Sequence, residues 1–290
     1  MPTFEIYVVD AFTTARFGGN AAAVVVIPHD KDMDETTMQN VASEVNLPMS
    51  AFVKAQSGDQ ALYKLLWFNP TAKAAFCGHA TLAAGHVLLN ILKLPATSIK
   101  FDSPAGVLNA SKGSADEIVL QFPSSPPTVV TEPPSAYRTV LHAFTGLSVA
   151  DIKTAVFYYA PRANDLVILL DGVDDTKFAA LDFAPSADTS REILALNMRA
   201  AVFVARSQRD DTDSIARVFH INNAGFDEDQ VTGSAHTIIA PLFSSLFGMQ
   251  RIRAHQCSRR GGRMLIEMPD SDTVVISGHA VTVIQGNIST

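Results

Sequence analysis

Thr232-Gly233-Ser234-Ala235-His236-Thr237-Ile238-Ile239-Ala240 runs from small polar residues into an apolar stretch that continues through Leu242 and Phe243 to Phe247-Gly248. Cys77-Gly78-His79-Ala80-Thr81-Leu82-Ala83-Ala84 has the same build and leads into Val87–Leu94. Aligning the glycines gives a spacing of 233 − 78 = 155 residues, close to half of the 290-residue chain. One such motif per half is what an internal duplication produces. Each motif places glycine and small residues where a helix begins. A helix start carries unsatisfied N–H groups and the positive end of the dipole, so it suits a carboxylate. Glycine there lets a ligand approach the backbone closely. Two such starts facing across an interdomain cleft would hold a small acid and exclude water. For either turn alone, ordinary helix capping by Thr, Ser and Asp is the competing reading.

Outward from these turns, the chain is long for one core and comfortable for two. Hydrophobic residues make up 47%, enough for packed interiors, yet no apolar run approaches the length of a membrane span. The opening, Phe4-Glu5-Ile6-Tyr7-Val8-Val9, alternates like a strand and lacks the regions of a signal peptide, so a cytoplasmic location is expected. A formal charge of −7 argues against nucleic acid as a partner. The basic cluster Arg251, Arg253, Arg259, Arg260 and Arg263 reads as a solvated loop. Two cysteines, Cys77 and Cys257, make neither a disulfide framework nor a four-cysteine zinc site, and the histidines lack paired metal-ligand spacing. No metal or cofactor is expected.

Strands are predicted up to Asp10, over Ala21–Ile27, Ser50–Lys54 and Leu62–Phe68, with a tight loop at Phe17-Gly18-Gly19-Asn20. Asp34–Val45 reads as a helix with Met38, Val41, Ala42 and Val45 on one face. Asn46-Leu47-Pro48 ends it. Pro123-Ser124-Ser125-Pro126-Pro127 reads as a linker. It divides the chain into residues 1–124, with 277–290 returning to them, and residues 125–276. Beyond the linker, helices are predicted near Ala136–Phe144 and Arg191–Leu196, and strands near Thr154–Tyr159 and Leu166–Leu170. There is neither a G-x-G-x-x-G opening nor a P-loop.

Asp10-Ala11-Phe12, Phe17-Gly18-Gly19-Asn20, Asn46-Leu47…Ala51-Phe52, Trp67-Phe68-Asn69-Pro70 and Cys77-Gly78-His79-Ala80-Thr81 occur in that order. Glu228-Asp229-Gln230-Val231-Thr232-Gly233-Ser234-Ala235 and Gln256-Cys257-Ser258-Arg259-Arg260-Gly261-Gly262 follow late in the chain. In this order and spacing they resemble the PhzF-like phenazine-biosynthesis family, within the diaminopimelate-epimerase-like fold group. The resemblance implies an α+β fold of two pseudo-symmetric domains, each a curved sheet wrapped around a central helix. It implies an isomerase that moves a proton on a small carboxylate-bearing metabolite without metal or organic cofactor, in a homodimer.

The family pattern carries over in part. Its late aspartate falls on Asp229, its serine on Ser234 and its histidine on His79. Its catalytic glutamate falls on Met49, whose thioether cannot take a proton at neutral pH. Glu44 lies off the apolar face of its helix and is no easy substitute. Lys73 replaces a usual glutamate and Gln230 a usual proline. The two-thiol racemases of the fold group need a thiol in each half, but Thr232 occupies the second place opposite Cys77. Asp229 is thus the candidate base, and His79, kept neutral by the helix dipole, its partner. Asn20, Gly78, Gly233, Ser234 and Met49 are candidates for substrate binding. His86 and His236 read as buried core histidines, and Cys77 and Cys257 as packing residues. Two alternatives stand beside the isomerase: a family member that binds a small molecule without turning it over, and a pocket that steers a rearrangement or cyclisation.

Overall fold

A computed structural model describes residues 2–56, 61–145, 147–183, 186–222 and 225–290. The chain divides into two compact units, Met1–Phe122 with Gly262–Met264 and Val275–Thr290, and Pro123–Gly261 with Leu265–Val274. In the first half the elements are β1 (Thr3–Ala11), β2 (Asn20–Ile27), α1 (Glu35–Val45), β3 (Met49–Ala55), β4 (Leu62–Phe68), β5 (Lys73–Ala74), α2 (Gly78–His86), β6 (Ser98–Ser103), β7 (Gly106–Lys112) and β8 (Ile118–Pro123). The second half continues with β9 (Thr128–Val129), α3 (Ser135–His142), β10 (Phe144–Thr145), α4 (Val149–Thr154), β11 (Val156–Ala160), β12 (Asp165–Leu169), α5 (Asp175–Ala179), β13 (Asp182–Phe183) and α6 (Ala187–Leu194). Then come β14 (Ala200–Arg206), β15 (Ser214–Asn222), β16 (Gly225–Asp229), α7 (Gly233–Phe247), β17 (Arg251–Gln256), β18 (Gly262–Glu267), β19 (Thr273–Gly278) and β20 (Ala280–Ser289).

In the first unit β1 pairs antiparallel with β2 and with β20, so the chain's last strand extends the sheet of its first. β2 and β3 are parallel, β3 and β4 antiparallel, β4 and β6 parallel, and β6–β7–β8 antiparallel. The parallel β2–β3 pair needs a crossover, which α1 supplies. Asp34 caps α1 by accepting from the Thr37 N–H, and Asn46 ends it in a left-handed conformation with φ 51°. Met38, Val41 and Ala42 pack with Phe4, Val25, Ile27, Phe52, Leu66 and Phe68, with Val45 at the margin. Glu44, off that face, is exposed. α2 is buried along its whole length and packs against β1, β2, β3, β7 and β20. A helix apolar on every side is stable only inside a core, so the strands curve round it. A π-helical turn, Val87–Ile91, continues it.

The second unit repeats the order. β11 and β12 are antiparallel, β12 and β14 parallel, β14 and β15 antiparallel, and β15 and β17 parallel. β9 lies antiparallel on β11, as β20 lies on β1. α3 joins a core containing Tyr137, Val140, Leu141, Phe157, Leu166, Phe203 and Phe219. The first eight residues of α7 are buried except Ser234. The two sheets therefore share one sequence of pairings, and α2 and α7 hold the same place in it.

The proline segment lies at the division between the units. Pro123 ends β8, and Ser124 and Ser125 are buried, their N–H groups donating to the carbonyls of Asp272 and Thr237. The predicted helices and strands of the second half are present with ends shifted by a few residues, as is usual where helix ends fray. No helix among the described residues is long and apolar enough to cross a membrane.

The turn that delivers Asn20 to β2 is held by Asp10, whose Oδ2 accepts from the Phe17 N–H at 2.7 Å. Gly19 there has φ +58°, and an added Cβ would fall 2.1 Å from the Ala11 carbonyl oxygen. Gly19→Ala should destabilise the protein by about 1–3 kcal/mol or prevent folding. Urea unfolding measures it, and a midpoint equal to wild type contradicts this account of the turn.

Candidate functional site

His79 is the second residue of α2 and is nearly buried, because α2 itself is enclosed. Its Nδ1 lies 3.2 Å from Asn20 Nδ2 and 3.4 Å from Cys77 Sγ. An amide nitrogen only donates, so Nδ1 accepts and the proton of a neutral ring sits on Nε2. Cys77 is the N-cap of α2 but makes no side-chain cap bond. Gly78 opens the helix beside it. Asn20, fully buried, thus orients the imidazole. Met49 opens β3 opposite Ala22 and is half-buried. Lys73 forms an ion pair with Glu35 of α1 at 2.7 Å.

In the second unit Asp229 ends β16, its side chain 14% exposed. Its Oδ2 accepts from the Thr232 hydroxyl at 2.6 Å and lies 3.4 Å from His220 Nε2. Thr232 is the N-cap of α7, but its hydroxyl is turned to Asp229 and makes no cap bond. Asp229 therefore does not cap the helix; it engages the residue that would. Gln256 clamps the turn between them, accepting from the Thr232 N–H at 2.8 Å and donating to the Asp229 carbonyl at 2.6 Å. Gln230 accepts from the Arg260 N–H at 3.2 Å, and its carbonyl accepts from Ser258 Oγ at 2.5 Å. A proline there would keep the carbonyl but lose the side-chain acceptor for Arg260.

Gly233 opens α7, and Ser234 Oγ accepts from Arg199 Nη1 at 3.2 Å. Arg199 also forks onto Asp165, with Nε 2.9 Å from Oδ1 and Nη2 on Oδ2. Asp165 is fully buried, and that burial pushes its carboxyl up against the opposing pull of the Arg199 guanidinium. Asp165 faces Ala160 across β11–β12 as Asn20 faces Ala11 across β1–β2, so the two occupy equivalent positions. Asn20 reaches His79 directly, whereas Asp165 reaches Ser234 through Arg199. Sequence reasoning missed Asp165, Arg199 and His220. The 155-residue glycine offset carries Asn20 to Asp175, not to Asp165, so the equivalence emerges only from the strand pairing.

Cys257 is half-buried beside His255, with its N–H bonded to the Ala216 carbonyl. Arg253 of the basic cluster forks onto Asp213 at 2.8 and 3.0 Å. Among the described residues no group of three His, Cys, Asp or Glu side chains is placed to hold a metal.

Residues 9–286 match the phenazine biosynthesis-like (PhzC-PhzF) family model. The chain belongs to this family. It is 34% identical over 290 residues to an uncharacterized isomerase of Halalkalibacterium halodurans, covering 99% of each chain. It is 34% identical over 285 residues to an uncharacterized isomerase of Pseudomonas aeruginosa, covering 98% of each. The PhzF-family structure from Enterococcus faecalis superposes with a TM-score of 0.83 at 29% identity, covering 100% of both chains. A hydroxyproline epimerase from Agrobacterium vitis shares the fold, with a TM-score of 0.56 at 10% identity over 99% of this chain and 91% of that one. The mixed α+β fold is that of PhzF proteins and of these epimerases.

Two buried histidines give this PhzF-family chain a pH signature. Burial holds His236 at about 4, although its Nδ1 bonds the Thr232 carbonyl at 2.9 Å. Burial likewise holds His86, which contacts Thr282 Oγ1 and Asn90, at about 4. The unfolded chain takes up protons below about 6.5 and the folded one only below about 4. Stability is thus complete above about 6.5 and falls as pH drops toward 4, by up to about 3 kcal/mol per histidine. In His236→Asn, whose amide keeps the donor to Thr232, urea midpoints should depend less on pH across this window. A slope equal to wild type contradicts the assignment.

Proposed function

We propose that this chain is an isomerase of the PhzF type that transfers a proton on a small carboxylate-bearing metabolite, with Asp229 and His79 as the proton carriers. The observation that carries the reading is the setting of Asp229. Its carboxylate is held by the Thr232 hydroxyl beside the opening of α7, where no side chain caps the helix. A carboxylate in such a place is a general base, and the adjacent helix start attracts the acid group of a substrate. Arg199 and Ser234 add a guanidinium and a hydroxyl at that start. In the first unit Asn20 fixes the ring of His79, so its exchangeable proton is carried on Nε2. The backbone of Gly78 and Gly233 offers N–H groups at the two openings. The relatives named isomerases support the reaction class. A homodimer, as the family resemblance implies, is part of this proposal.

Met49 favours a second reading, a family member that binds its ligand without turnover. The thioether stands where the family pattern places a carboxylate, so one proton carrier is missing. Binding of an acid at a helix opening needs none.

Asp229→Asn keeps shape and removes the base, so solvent-deuterium exchange into a small carboxylate should fall by about 10²-fold or more. Exchange unchanged in the variant eliminates Asp229 as base. Met49→Glu separates the two readings. Methionine and glutamate are similar in length, and Met49 is only half-buried, so the variant should fold. An enzyme rebuilt around Asp229 and His79 should lose its own exchange reaction when a second carboxylate is added, and this is the expected result. Exchange by Met49→Glu alone, followed by NMR on a panel of small carboxylates, would establish the binder.

A further inference from the structure

Strand register brings an unassigned histidine to Asp229. Asp165 pairs with Ala200 across β12–β14, Ala200 with His220 across β14–β15, and His220 with Asp227 across β15–β16. Paired residues share a face, and so do residues two apart on one strand. Asp165, Ala200, His220, Asp227 and Asp229 therefore lie on one face of the sheet. The intervening residues lie on the other, where Arg217 of β15 forks onto Glu228 of β16 at 2.7 and 3.0 Å. Ala200, between Asp165 and His220 in this row, has only a methyl group.

His220 stands diagonally across from Asp229, its Nε2 3.4 Å from the Oδ2 that also accepts from Thr232. Both contacts fall on the same carboxylate oxygen. A long contact of this kind is usual for catalytic groups before substrate arrives. We propose that His220 is a positioning residue for Asp229: its Nε2–H and the Thr232 hydroxyl grip Oδ2 from two sides and set the carboxylate plane toward the substrate. This rests on the reading of Asp229 as the base. The groups facing His220 are Asp229 and Asp227 on β16, Asp165 on β12, and Arg199 just before β14. Arg199 bonds both Asp165 and Ser234, which ties the Asp165 end of this face to the opening of α7. The imidazole carries no proton through the reaction; it aims the group that does.

The test compares wild type, His220→Phe and His220→Gln. The glutamine amide nitrogen reaches about as far as Nε2 and keeps the donor, whereas phenylalanine keeps only the ring. For solvent-deuterium exchange, His220→Phe should lower kcat by about tenfold or more with KM held within about twofold. His220→Gln should recover most of the rate. A wild-type kcat in His220→Phe, or His220→Gln as slow as His220→Phe, overturns the proposal. A second readout needs no turnover: ¹⁵N–¹H correlation spectra of the imidazoles in wild type and Asp229→Asn. The Nε2–H signal of His220 should be present in wild type and move in the variant. An Nδ1–H tautomer, or a signal indifferent to Asp229, overturns the proposal. A wild type without exchange overturns the functional reading instead, and the spectra still decide the contact.

Discussion

A helix buried on all sides must find partners for its first N–H groups, and the two central helices of this chain begin where their own side chains decline that task. α2 is buried throughout and α7 over most of its length, so water satisfies neither opening freely. At Cys77 the side chain is a thiol, a poor acceptor. At Thr232 a good capping hydroxyl is present but is drawn to Asp229 instead. An N-cap bond is worth about 0.5–2 kcal/mol, so a fold that forgoes two of them gives up appreciable stability. What the arrangement leaves is two helix starts whose positive ends suit an acid.

The frame that carries those openings is built twice, and the differences between its copies are chemical. Both sheets use the same succession of antiparallel and parallel pairings, and both place a buried polar residue at the start of the second strand. In one copy that residue is the neutral Asn20, close enough to touch His79. In the other it is Asp165, whose buried charge requires Arg199, and Arg199 then extends the network to Ser234. The side chains beside the two openings differ as well. The second copy keeps Asp229 with its supporting hydroxyl and amides, while the first opens β3 with Met49.

Much of this was legible in the sequence because it is local. Asp34 as a helix cap, the buried stripe of α1, the strand Leu62–Phe68 and the two glycine openings all follow from spacing within a few residues. The solvent position of Glu44 follows from the same helical period. The contacts that finish the site are not local. Asp165 meets Arg199 across 34 residues and Thr232 meets Gln256 across 24, and no local spacing reveals either pair. His220 stayed invisible because a histidine inside an apolar strand pattern has no signature of its own. The proline segment lies where the chain divides, but the backbone partners of its buried Ser124 and Ser125 are far along the chain and have no local signature.

The central claim is that this family member still exchanges a proton on the acid it binds, despite Met49. The most direct measurement is mass spectrometry of the small molecule that co-purifies with the wild-type protein, after parallel incubations in H₂O and D₂O. The account predicts a carboxylate that gains deuterium at carbon in D₂O when wild type is present and not when it is absent. A carboxylate that binds at full occupancy and leaves with its carbon-bound hydrogens unexchanged would contradict it.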